Sequence, residues 1–148
     1  MQKPDIGRRT VLLGLAGLLT LPRSTYATPA QADAAIAKLL AAVKASTGRV
    51  TLRLPQIAEN GNTVQFSVAV DSPMTDTDYV KTVHVMAEEN PAPEVASFYF
   101  TPANGKAEAT MRMRLAKTQV VRAVAVMSDG SVFECRQEVK VTIGGCGG

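Results

Sequence analysis

The chain has 148 residues, 46% of them hydrophobic and 20% charged, with a formal net charge of +3. That size and apolar content suit one packed domain and exclude a chain too polar to fold. Its two cysteines, Cys135 and Cys146, lie in no CxxC or Cys/His cluster, and one histidine (His84) with no tryptophan leaves little for acid–base or cofactor chemistry; neither a cofactor nor a metal is expected.

The positive charge sits at the start. Arg8-Arg9 precede an apolar stretch of 11 residues, Val11 to Leu21, followed by "PRSTYATPA". Basic start, short apolar centre and small-residue exit have the form of an export signal. The apolar centre is too short for a bilayer span, which takes about 20 residues. The arginine pair followed by Thr10, Val11 and Leu12 resembles the twin-arginine class, which exports folded proteins. Val11 stands where that class often has phenylalanine, and an ordinary Sec signal is the alternative. Cleavage is expected after Ala27, with Ala30 second. Residues 1–27 hold Lys3, Arg8, Arg9, Arg23 and Asp5, so of 16 basic and 13 acidic residues the remaining 121-residue chain keeps 12 of each. A neutral periplasmic domain is expected, without a nucleic-acid footprint, without a membrane segment, and in a compartment where disulfides persist.

Residues 28–143 read as one domain. Thr28-Pro29 is a helix start, and Ile36, Leu39, Leu40 and Val43 form one apolar stripe before Gly48. From Arg49 the period changes to two. Seven strands are predicted at 49–54, 63–70, 80–87, 95–100, 107–115, 119–128 and 131–143. Asn60-Gly61, Asp71-Ser72-Pro73, Asn90 to Pro93, Pro102 to Gly105 and Asp129-Gly130 separate strands along this run, the last as a two-residue hairpin loop. Short strands with regular turns point to a mainly β, antiparallel sandwich of immunoglobulin type behind an N-terminal helix.

Strand faces assign several side chains. Met111, Met113 and Leu115 face the core, and Arg112 and Arg114 face solvent. Phe133, Cys135, Val139, Val141 and Ile143 share a face with the polar Gln137, so Cys135 reads as buried: an inert small hydrophobe or one end of a disulfide to a partner chain. Pairing with Cys146 is rejected. A strand running to Thr142 carries the chain about 23 Å from Cys135, and four further residues return at most about 14 Å, leaving more than a disulfide spans. His84, on the Thr82–Met86 face opposite Val83 and Val85, reads as structural or surface-lying rather than as a ligand. Asp76 and Asp78 read as solvated turn residues.

The chain ends in "VTIGGCGG", a thiol between glycine pairs. Glycines add nothing to a core, and chain ends fray, so residues 144–148 read as a flexible arm: Gly144, Gly145, Gly147 and Gly148 around Cys146. From Ile143 the arm reaches at most about 10 Å, thin enough to enter a narrow pocket. At a reference pKa near 8.5 only about a few per cent of the thiol is ionised at pH 7, which suits a handle that other active sites activate. Bulky replacements of the flanking glycines are expected to slow those reactions and hardly change stability.

Gly144 to Gly148 after "VKVTI", with "EENPAPEVASFYF" and "MRMRLAKTQVVRAVAVMSDG", resembles the SoxY-type sulfur carriers of bacterial thiosulfate oxidation. The resemblance covers essentially the whole chain. It implies a carrier, not an enzyme, with Cys146 as the covalent attachment site. It implies a heterodimer with a SoxZ-type subunit, a c-type cytochrome enzyme that couples thiosulfate to the thiol, a metal-dependent thiosulfohydrolase that releases sulfate, and a sulfane dehydrogenase. Cys135 lies outside the family motif and receives no role from it.

Two rivals come from other classes. Ubiquitin-like carriers also end in Gly-Gly but use a terminal thiocarboxylate made with ATP, which export would deny this chain. An immunoglobulin-like binding module could use a tail cysteine for an interchain disulfide.

Overall fold

The computed structural model describes residues 44–145, together with Ala30 and Ala34. The helix and export signal expected before residue 44 lie outside the described residues. The strands are β1 (Ser46–Thr47), β2 (Val50–Arg53), β3 (Ile57–Asn60), β4 (Val64–Val70), β5 (Val80–Ala87), β6 (Glu94–Tyr99), β7 (Ala107–Met113), β8 (Gln119–Met127) and β9 (Val132–Ile143). All seven strands expected from the period-two pattern are present, as β2 and β4–β9. A 3-10 turn, Pro102–Asn104, precedes β7 and ends on Gly105 at φ 70°.

Two sheets form. One has the order β2-β4-β7; the other has the order β1-β9-β8-β5-β6, with β3 also pairing β9. A shared core lies between them. Val50 and Leu52 of β2 and Phe66, Val68 and Val70 of β4 are buried with Val83 and Val85 of β5, Val121, Ala123 and Ala125 of β8, and Val139 of β9. Phe66 meets Phe98 of β6 across this core at 6.5 Å between ring centroids, tilted 57°, a favourable aromatic arrangement.

Two expectations change. β1 and β3 are additional strands and run parallel to β9 (Ser46 opposite Phe133, Ala58 opposite Val141), so the sandwich is not wholly antiparallel. The β8–β9 loop has three residues, Ser128 to Gly130: Met127 N donates to Ser131 O at 2.9 Å, and Gly130 lies at φ 85°. This is the three-residue hairpin with a left-handed glycine, not a two-residue turn.

The second face of the larger sheet also carries a buried cluster. Met86 is 0% and Val124 1% exposed there, clustered with Val132 and the partly buried Ala45 and Val126. β5 and β8 are therefore buried on both sides, as their nearly continuous apolar sequences suit. The same face holds Arg122, whose Nε lies 3.0 Å from Glu134 Oε2 and 3.9 Å from Glu88 Oε1, so a nearly buried guanidinium is compensated by carboxylates.

Phe66→Ala removes the largest core side chain of β4 and is expected to lower stability by about 3–5 kcal/mol, read from urea unfolding.

Candidate functional site

Gly144 and Gly145 follow β9, and β3 runs beside the last residues of that strand. β9 would be an open sheet edge, a template for unwanted pairing, without β1 along its first residues and β3 along its last. Between the two, Gln137 Nε2 donates to Leu54 O at 3.0 Å, and Lys140 N donates to Gln56 O at 3.0 Å. The ladder continues past Asn60: Gly61 N donates to Ile143 O at 2.7 Å.

Gly61 is also bound on its other side, since Leu115 N donates to Gly61 O at 2.8 Å. Leu115 O in turn accepts from Gly145 N at 2.9 Å. Backbones therefore meet with no room between them. A Cβ on Gly61 would overlap the Leu115 carbonyl oxygen and stand 2.7 Å from Gly145 N. One on Gly145 would stand 2.8 Å from Gly61 O, and one on Gly144 would overlap the Ala116 carbonyl oxygen. Glycine at these positions is required by close approach of main chains.

The turn between β7 and β8 that receives Gly145 is braced from beneath by two buried amides. Asn90 and Gln119 are each 2% exposed. Asn90 Nδ2 donates to Arg114 O at 2.8 Å, and its Oδ1 accepts from Ala116 N at 3.0 Å and from Gln119 Nε2 at 2.8 Å. Gln119 Oε1 accepts from Glu89 N at 2.9 Å. Above the turn, Thr118 Oγ1 accepts from Val141 N at 2.9 Å, and Lys117 Nζ lies 2.6 Å from Glu89 Oε2.

Cys146, Gly147 and Gly148 lie outside the described residues. Gly144 and Gly145 correct the expected flexible arm: Gly145 is buried and hydrogen-bonded, and Gly144 lies against Ala116. Bulk at either position therefore disturbs the body as well as the arm, contrary to the expectation that stability hardly changes.

Cys135 carries a free thiol and is partly buried against the core, opposite Ala123 of β8. β9 runs unbroken from Val132 to Ile143, which meets the condition that keeps Cys135 and Cys146 apart. His84 is 7% exposed. Its Nδ1 lies 2.8 Å from Ser97 Oγ, and that hydroxyl donates to Glu94 Oε1 at 3.0 Å. A serine whose proton points to a carboxylate is not activated by the imidazole, so the chain is structural. Burial pushes His84 below its ordinary value of 6.5, with the Glu94 charge opposing. Asp78 is half-buried, with its Oδ1 3.5 Å from Arg49. Among the described residues no group of three or more His, Cys, Asp or Glu side chains could hold a metal.

Asn90, Gln119, Gly61 and Leu115 were not singled out by the sequence as parts of the site. Gln119 carried a signal: it is in phase with core-facing Val121, Ala123 and Ala125, and a polar group in a core register demands partners. Asn90 reads as an ordinary turn residue before proline, and nothing local distinguishes it.

The family model described as "Sulfur oxidation protein SoxY" matches residues 36–146. Among solved structures, the sulfur carrier protein SoxY from Chlorobium limicola f thiosulfatophilum is similar at 32% identity and TM-score 0.66, covering 78% of this chain and 100% of that one. The fold is also shared with the superoxide reductase (neelaredoxin) of Ignicoccus hospitalis, at 20% identity and TM-score 0.58 over 78% of this chain and 94% of that one. The superoxide reductase of Nanoarchaeum equitans is similar at 11% identity and TM-score 0.51, over 66% and 99% of the two chains. No curated protein matches the chain.

Gly61→Ala is expected to destabilise by about 1–3 kcal/mol, the usual cost of overpacking, seen as a lower Tm. A second expectation concerns pH. The unfolded chain protonates His84 at a higher pH than the folded one, so stability is unaffected well above the ordinary value of 6.5 and declines as pH falls from there through the lower folded value. Tm against pH in His84→Gln should show a shallower acid decline than in the native chain.

Proposed function

The chain belongs to the SoxY family of sulfur oxidation proteins, and on that footing we propose that it is a periplasmic sulfur carrier, with Cys146 as the attachment point. The observation that carries this reading is the extent of the family match, which runs through the carboxyl-terminal strand as far as residue 146. The strand order β2-β4-β7 facing β9-β8-β5-β6 supports the immunoglobulin-type description of the body. Residues 1–27 then serve as a twin-arginine signal, 28–143 as the carrier domain and 144–148 as the arm.

The chemistry is that of a cargo-bearing thiol. A c-type cytochrome enzyme removes two electrons as the Cys146 thiolate bonds to the sulfane sulfur of thiosulfate, giving a cysteine S-thiosulfonate. Water, activated in a metal-dependent hydrolase, then breaks the bond between sulfane and sulfonate sulfur. Sulfate and two protons leave, and a persulfide remains on Cys146. A sulfane dehydrogenase can oxidise that sulfur further, within the known range of cysteine states. The carrier supplies no catalytic group. Its contribution is to expose one sulfur at the end of a thin segment and hold the rest of the body back. A SoxZ-type subunit completes the working heterodimer.

Cys146→Ser is expected to abolish thiosulfate turnover with the partner enzymes while leaving the unfolding transition unchanged. Intact mass of the chain from thiosulfate-grown cells should show one added S2O3 unit or one added sulfur, lost in the serine variant. A thiol found only free or bridged to protein would favour the disulfide-forming binding module instead.

A further inference from the structure

A sulfur delivered to several active sites has to leave the body from a defined point. We propose that Asn90 and Gln119 are positioning residues for Cys146: through the β7–β8 turn they seat Gly144 and Gly145, so the arm pivots after Gly145 and not after Ile143. The purpose of this device rests on the carrier reading; its geometry does not.

Burying two primary amides is costly unless each end finds a partner, and here the partners fall on one short stretch of main chain. Asn90 holds Arg114 O and Ala116 N, and Gln119 Nε2 reaches Lys117 O at 3.2 Å while also donating to Asn90 Oδ1. The backbone is thus fixed on both sides of Leu115. The Leu115 side chain, 0% exposed, anchors the same turn in the core. An apolar pair in place of Asn90 and Gln119 would fill the space but would leave the groups at 114, 116 and 117 without these partners. What the amides add is a fixed position and direction for the Leu115 carbonyl, the acceptor of Gly145 N.

The seat defines two positions of the arm. With Gly145 bound, the thiol is one residue from the seat, within about 4 Å of backbone reach. With the single Gly145–Leu115 bond broken and Gly144 lifted from Ala116, the reach from Ile143 grows to about 10 Å. One hydrogen bond and a glycine contact form a weak latch, suited to opening when a partner pocket takes the thiol.

The test is residue-resolved backbone amide exchange on the full chain. In the native protein the Gly145 amide should exchange at least about tenfold more slowly than Gly147. Asn90→Ala should bring it to within about twofold of Gly147 while the core amide of Val124 keeps its protection. Gly144→Ala, which leaves both amides in place, should release Gly145 in the same way with Ala116 still protected. Gly145 exchanging as fast as Gly147 in the native chain would overturn the proposal. So would a Gly145 still protected in Asn90→Ala. If Asn90→Ala loosens Val124 as well, the decision passes to Gly144→Ala, where a protected Gly145 overturns it. The exchange needs no sulfur, so an arm that is seated but never loaded would count against the carrier reading alone. A sulfur adduct on Cys146 beside an unprotected Gly145 would count against the pivot alone.

Discussion

The carboxyl-terminal strand has two incompatible duties, and the main-chain contact among Gly61, Leu115 and Gly145 reconciles them. As the outermost long strand of its sheet, β9 must be closed off; as the base of the proposed arm, it must end in something that can let go. Closing it with a long antiparallel neighbour would have extended the ladder past Ile143. The fold instead uses two short parallel segments, and the second stops at Asn60. Gly61 then takes the last strand carbonyl with its N–H and hands its own carbonyl to Leu115. Beyond Ile143 the described chain is held through Gly145, whose N–H donates to Leu115 O.

Most of the body was legible from the sequence because period-two alternation is a direct consequence of pleated backbone. "RVTLRL" and "TVQFSVAV" alternate cleanly, and β2 and β4 are buried on alternate residues as written. β1 and β3 were not legible, for a physical reason. Two and four residues are too few to show a period, and Ile57, the one large apolar residue between them, is 60% exposed. They are strands only because β9 offers them an edge. The burial of His84 and Met86 escaped for a different reason: alternation tells which residues share a face and says nothing of whether that face meets water.

The site was half legible. The pentapeptide marks the thiol, but at the chain end its glycines suggest flexibility and slimness, when the first two answer to close packing. Gly144 and Gly145 are glycine because carbonyl oxygens of Ala116 and Gly61 occupy the space a side chain would need. That information belongs to residues far away in sequence and could not be seen at the chain end. The two segments that carry the family resemblance, "EENPAPEVASFYF" and "MRMRLAKTQVVRAVAVMSDG", hold Asn90 and the 114–119 turn. Their likeness to a carrier thus has a structural correlate in the turn that receives Gly145.

On the proposed reading, Cys135 and Cys146 put one chemistry to opposite uses. Cys135 is placed in β9 in phase with Phe133 and Val139, packed on the core and opposite a small residue, Ala123. A sulfur there gains by burial and loses access, which suits an inert hydrophobe. Cys146 comes three residues after β9 ends at Ile143. β9 runs unbroken to Ile143, and each further strand residue adds about 3.3 Å between Cys135 and the end of the strand. A bulge or early end in β9 would bring the thiols within reach of each other, and the carrier would then be closed by its own disulfide. In the proposed carrier, strand length is therefore part of the chemistry: it holds Cys135 in β9 beyond disulfide reach of Cys146.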